Sequence, residues 1–296
     1  NGSATVRVVP ISDLVAFEKH TKATELITHI LSSYHYKKTE LNDNLSDAIF
    51  KNYLENLDQN KAYFISSDIK AFEKFRYSID DRIKNSDISL AFDIFKQYRK
   101  RVEERINYAL EIIDYDFDFS VQESFRFDRR DDNWIGNISD LNEFWRKRVK
   151  NDVLNLKLAG KNLSDIKKTL SKRYNRILST TLQLDSNDIF QTFINAYTTS
   201  IEPHTSYFSP RISENFDISM RLSLEGIGAV LRAESEYTQV VKIIPGGPAD
   251  LDGRLMADDR IIGVGQKTNG EIVDVIGWRL DDVVELIRGP KNTILS

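Results

Sequence analysis

Glycine is distributed too unevenly along this chain for a single architecture. Only Gly2, Gly136 and Gly160 precede residue 220, whereas ten of the 13 glycines lie from Gly226 onward. A stretch nearly free of glycine admits long helices, and a glycine-dense stretch implies tight turns. The chain is therefore read as multidomain, with an all-α front over residues 1–216, a turn-rich back over residues 217–296, and a boundary near Asp217. A length of 296 residues suits two domains, and 41% hydrophobic with 29% charged residues can fill a core in each.

Helical periodicity runs through the front. Residues 12–36 carry Leu14, Val15, Phe17, Leu26, Ile27, Ile30, Leu31 and Tyr34 at helical spacing, and residues 45–57 repeat the pattern. Ser67 or Asp68 is expected to cap a helix through Phe72 and Phe75. Residues 90–113 form the longest run, with Phe92, Phe95, Tyr98, Val102, Ile106 and Leu110 on one side. Lys100, Arg101, Glu103, Glu104 and Arg105 are expected on a solvated face opposite. Residues 114–137 lose the period but hold Phe117, Phe119, Phe125 and Phe127, an ordered connection pinned by aromatics. Helices then resume, with Ser139, Ser164 and Ser186 as expected caps.

In the back, the sequence Leu-Ser-Leu-Glu-Gly-Ile-Gly-Ala-Val-Leu over 222–231 suggests a binding device. Gly226 and Gly228 permit positive φ, so the amides around Ile227, Gly228 and Ala229 can converge on one anion. The strand that leaves this nest, Ala229, Val230 and Leu231 toward Arg232, can take a peptide antiparallel on its edge while the nest holds the terminal carboxylate. A ligand-free hairpin kink would use the same two glycines. Residues 238–244 read as a strand, 245–248 as a Pro-Gly-Gly-Pro turn, and 249–251 as a short helix stopped by Gly253. Strands over 259–265 and 271–276 precede an amphipathic helix over 278–288. On that helix Leu280, Val283, Val284 and Ile287 share a face, some of it needed by the core; Leu280 and Val284 are expected at the pocket and Ile287 deeper. Such a pocket favours small or aliphatic tails.

Several classes have no support. A net charge of −4 gives no general attraction to nucleic acid or anionic membrane, and no apolar run is long enough for a transmembrane segment. Cysteine is absent, which excludes disulfides and thiol catalysis and suits an oxidising compartment. His20, His29, His35 and His204 lack metal-ligand spacing, and no cofactor motif occurs. No Gly-x-Ser-x-Gly elbow is present, so no catalytic residue is assigned. Asn44, Asn137 and Asn162 begin glycosylation-like triplets, given no weight because the pattern arises by chance.

The order of elements in the back resembles a bacterial PDZ domain, an α+β fold with a strongly bent small sheet and two helices. Ser-Leu-Glu-Gly-Ile-Gly-Ala-Val-Leu (223–231), Pro-Gly-Gly-Pro-Ala (245–249), Asp-Asp-Arg-Ile-Ile-Gly-Val-Gly (258–265) and the run from Asp274 to Lys291 are similar to the PDZ of the tail-specific, or carboxy-terminal processing, proteases. Residues 53–64, 145–174 and 202–210 resemble the helical domain and linker of the long periplasmic form, although Glu202 stands where that family usually has Asp. The resemblance implies binding of protein C-terminal tails, a Ser nucleophile with a Lys base in a domain after the PDZ, and a periplasmic setting peripheral to the inner membrane. It also brings in a TPR-type lipoprotein as adaptor. The chain stops at Ser296, early in the last PDZ strand and before any such dyad, so alone it is expected to be inactive. The alternative is a non-enzymatic PDZ adaptor.

Overall fold

The computed structural model describes residues 7–210, 213, 226–234, 237–266 and 272–288. The chain divides into two compact units, one spanning Val9–Tyr207 and the other taking in the residues from Phe208 onward. Arg7 and Val8 belong with the back unit, whereas the sequence placed them in front. The boundary expected at Asp217 lies outside the described residues.

The front unit is helical throughout: α1 Glu18–Ser33, α2 Asp43–Leu57, α3 Ser66–Phe72, α4 Ile79–Lys84, α5 Ser89–Ile112, α6 Ile138–Leu158, α7 Leu163–Leu182 and α8 Ser186–Ile201. α5 is its spine. The N-terminal half of α5, with Leu90, Phe92, Ile94 and Phe95, enters a core built with α2, α4 and α8. Its C-terminal half, with Val102, Ile106, Ala109 and Ile112, enters a second core with α6 and α7. Two cores around one helix leave little of it solvated: Lys100 stays exposed as expected, but Arg101 and Arg105 correct the charged face expected on α5. Arg105 is buried, with Nη1 donating to Asn142 and its guanidinium over Tyr108, and Arg101 forms a two-pronged pair with the buried Asp68 at 2.8 and 3.0 Å. Trp145 on α6 is fully buried, and its Nε1 donates to Ala62 O at 2.7 Å.

Helix α1 also turns differently from the expectation. A 3-10 turn, Ile11–Asp13, precedes it, and His20, Thr24 and Leu31 face inward while Leu26, Ile30 and Tyr34 are exposed. The phase follows from His20, whose Nδ1 accepts from Phe17 N at 3.2 Å and whose Nε2 meets Asn187 Oδ1 at 3.0 Å. The expected serine caps are replaced by the residues one or two positions earlier. Asn137, Asn162 and Asp185 accept from the amides of Asp140, Asp165 and Asp188, because a planar amide or carboxylate reaches the third helical amide. Two of the glycosylation-like asparagines are thus helix caps. In α3, Ile65 holds the cap position, and Asp68 reaches back to its amide at 3.1 Å. Within the connection over 114–137, Phe117 and Phe119 pack on the second core and Phe125 on Phe144, but Phe127 is exposed.

In the back unit β1 Ala229–Glu234, β2 Tyr237–Ile243 and β3 Arg260–Ile261 form an antiparallel sheet in the order β1-β2-β3. β4 Gly263–Gly265 pairs with β5 Ile272–Asp274 in a second sheet. The single strand expected over 259–265 is therefore two, parted at the exposed Ile262, as a bent small sheet requires. Between β2 and β3 lies α9 Pro248–Asp252, and α10 Leu280–Ile287 follows β5. Gly253 ends α9 in the left-handed conformation at φ 73°. The last strand, expected after Thr293, lies outside the described residues.

Candidate functional site

The nest expected at Gly226 to Ala229 is built against the Pro-Gly-Gly-Pro turn. Ile227 O accepts from Ala249 N at 2.8 Å, and Gly228 O accepts from Ile244 N at 2.8 Å, so both carbonyls point inward and are satisfied. Among the described residues the amides of Ile227 and Gly228 have no protein acceptor. Gly228 is at φ 75°, and a Cβ there would lie 3.0 Å from Gly247 Cα. Glycine is thus required twice over, by conformation and by close contact with Gly247 of the Pro-Gly-Gly-Pro turn. Gly226, at φ 154°, is exposed with open space around it.

From the nest β1 runs along the rim of its sheet, and among the described strands its outer edge has no neighbour. Its side chains alternate, Ala229 and Leu231 half-buried and Val230 exposed. A bulge falls between Val230 and Leu231 in the pairing with β2 and puts the extra residue on β2, so the alternation along β1 is preserved. α10 lies against β1 and β4. Its shared face divides in two. Val283 and Ile287 are buried in the core with Val264 and Val275, and Ile227 and Leu231 pack onto that cluster. Leu280 and Val284, one turn apart and half-buried, stand outside it. Of the four helix residues considered for the peptide pocket, Leu280 and Val284 can form its wall, whereas Val283 and Ile287 are floor and core.

Arg7 is a contributor that no periodicity or motif announced. Its guanidinium lies 4.8 Å from the centroid of the Trp278 ring, and Nη1 is 3.5 Å from Asp282 in the first turn of α10. It fixes the end of the helix that carries Leu280. His20 and His35 are structural, whereas His29 and His204 are exposed. His20 is stacked on Phe190 at 4.8 Å, and its burial holds the imidazole below its ordinary pKa. His35 bridges Lys37 O and Thr205 Oγ1, each at 2.9 Å. Glu202, the departure from the linker pattern, accepts from His204 N at 2.8 Å and so still serves the turn after α8. No group of three metal-ligating side chains and no helix apolar enough to cross a membrane occurs among the described residues.

An all-α domain followed by a small bent sheet with a helix-flanked free edge defines a helical domain joined to a PDZ module. The chain belongs to the tail-specific protease family: the model of the tail-specific protease N-terminal domain matches residues 27–211, and the PDZ domain model matches residues 216–295. The tail-specific protease of Haemophilus influenzae is 41% identical over 290 residues, which is 98% of this chain and 42% of that protein. The carboxy-terminal processing protease CtpA of Bacillus subtilis is 32% identical over 126 residues, 42% of this chain and 26% of that one. The chain thus spans less than half the length of these curated relatives. A crystal structure of the PDZ domain of a carboxy-terminal protease from Vibrio cholerae, in complex with peptide, is 56% identical where matched; it covers 24% of this chain and 72% of its own, with a TM-score of 0.23.

Proposed function

We propose that this chain is the substrate-recognising and regulatory half of a periplasmic tail-specific serine protease, and that its PDZ unit holds the C-terminal tails of target proteins for cleavage by a Ser/Lys domain. One observation carries the reading: two amides without a described acceptor, at Ile227 and Gly228, sit at the head of an open strand edge flanked by Leu280 and Val284. A carboxylate needs donors, an extended peptide needs a strand edge, and an apolar last side chain needs an apolar wall; here all three are adjacent. Hydrogen bonds to a charged group are worth about 1.5–3 kcal/mol each, and a buried aliphatic side chain adds about 1.5–3 kcal/mol. The polar and apolar parts of a tail therefore contribute comparably, and neither alone suffices after the cost of ordering the peptide.

The front unit, by the same reading, regulates access and docks the TPR-type lipoprotein adaptor. Family membership supports that role, and a chain without cysteine suits an oxidising periplasm. Hydrogen exchange with and without a saturating apolar-tailed peptide tests the binding mode. Amides over 227–232 should be slowed, together with those of α10. Protection elsewhere and none along β1 would overturn the reading.

A further inference from the structure

The outer face of the sheet carries a row of side chains set by strand register. Arg232 on β1 is the partner of Gln239 on β2, and Gln239 is the partner of Arg260 on β3. This face is opposite the one on which Leu231 meets the fully buried Val240. Gln239 is itself buried, and its Oε1 accepts from Arg232 Nε at 2.9 Å and Nη2 at 2.7 Å, while its Nε2 donates to Asp258 at 3.3 Å. The guanidinium is thus held in place by a buried amide, at the rim strand of the sheet. Among the described residues its Nη1 donates to no acceptor. Glu234, on the same face, shares the charge at 3.6 Å.

A peptide docked antiparallel on β1 extends this row by one position. With the terminal residue opposite Ala229, the residue opposite Arg232 is the fourth from the end, and its side chain emerges on the outer face because directly opposed residues share a face. We infer that Arg232 reads that fourth-from-last side chain and favours an acidic one, adding a charge criterion to the apolar one set by Leu280 and Val284. This inference rests on the tail-binding reading above. Pre-placement by Gln239 removes much of the entropic cost that normally makes an exposed ion pair weak, whereas Glu234 already takes part of the charge. The preference is therefore real but modest, and sensitive to salt.

The test uses the 296-residue chain and labelled peptides that end in the same three apolar residues, preceded by Glu, Ala or Lys. At low salt the Glu peptide should bind about two- to fivefold more tightly than the Ala peptide, and the Lys peptide more weakly by a similar factor. Arg232→Met should bring the three Kd values together, and Arg232→Glu should reverse their order. If the Met variant is misfolded, the salt dependence in the unaltered chain still decides: the spread should collapse at roughly 0.5 M salt. Equal Kd values for the three peptides at low salt overturn the role of Arg232. Equal Kd values for the Ala peptide and its C-terminal amide instead overturn the tail-binding reading, so the two failures are distinguishable.

Discussion

Gly228→Ala isolates what the nest demands of the backbone, because the same unit supplies a matched control. Gly228 and Gly246 have nearly equal φ values, 75° and 77°. A Cβ at Gly246 meets nothing within 4 Å, whereas at Gly228 it would sit 3.0 Å from Gly247 Cα and 3.4 Å from Pro248 Cδ. Holding an L-residue in the left-handed region costs about 1–2 kcal/mol, which both variants incur. Only Gly228→Ala must also push apart two backbone segments tied by the 2.8 Å bonds Ile244 N to Gly228 O and Ala249 N to Ile227 O. Overpacking of this kind costs about 1–3 kcal/mol more. Native-state hydrogen exchange at Val240, whose amide donates to Asp259 O at 2.9 Å, reports opening of this unit separately from the helical one. Protection in Gly228→Ala should be lower than in Gly246→Ala by a factor of about 5–150, the equivalent of that 1–3 kcal/mol. Equal protection in the two variants would refute the close-contact argument and leave Gly228 as an ordinary turn glycine.

On α10, Leu280→Ala and Val284→Ala should weaken tail binding with little loss of stability, whereas Val283→Ala, at a fully buried site, should cost about 1.5–3 kcal/mol of unfolding free energy; peptide titration beside urea denaturation separates them. Trp145→Phe removes the indole hydrogen bond to the buried Ala62 carbonyl and leaves a small cavity, so the helical unit should lose about 2–4 kcal/mol by the same denaturation assay. Arg146 and Lys150 pull the Glu123 carboxyl down to about 2 from an ordinary 4.5. Its contribution is therefore complete above pH 4.5 and lost as pH falls toward about 2. Glu123→Gln should flatten the dependence of helical-unit stability on pH in that window, and an unchanged slope would remove the role given to this cluster.

Much of this was legible because period and turn chemistry act locally. The existence of every long helix followed from apolar spacing, and the PDZ order followed from where glycine and proline fall. The misses have physical causes. Serine was preferred as a cap because hydroxyls are common there, yet Asn137-x-x-Asp140, Asn162-x-x-Asp165 and Asp185-x-x-Asp188 place a longer planar acceptor first and an acid at the third helical position. That signal was in the sequence. The inward turn of α1 was not, since it depends on His20 finding Asn187, 167 residues away. Arg105 and Arg101 look like a solvated charge run until Asn142 of α6 and Asp68 of α3 are known to face them. In the candidate site, local sequence pointed to Gly226 to Leu231 and to the α10 face, but dividing that face between wall and core required the positions of Val264 and Val275. Arg7, and the row through Arg232 and Gln239, arise only from tertiary contact and strand register.

The central claim, that the Ile227–Gly228 amides hold a terminal carboxylate, is tested most directly by one pair of titrations. A labelled peptide with an apolar C-terminal residue and the same peptide amidated at its C-terminus are each titrated with the 296-residue chain. The account expects the amide to bind roughly tenfold more weakly or worse, since one charged hydrogen bond of about 1.5–3 kcal/mol is lost or degraded. Equal affinities would contradict it and reduce the nest to a turn.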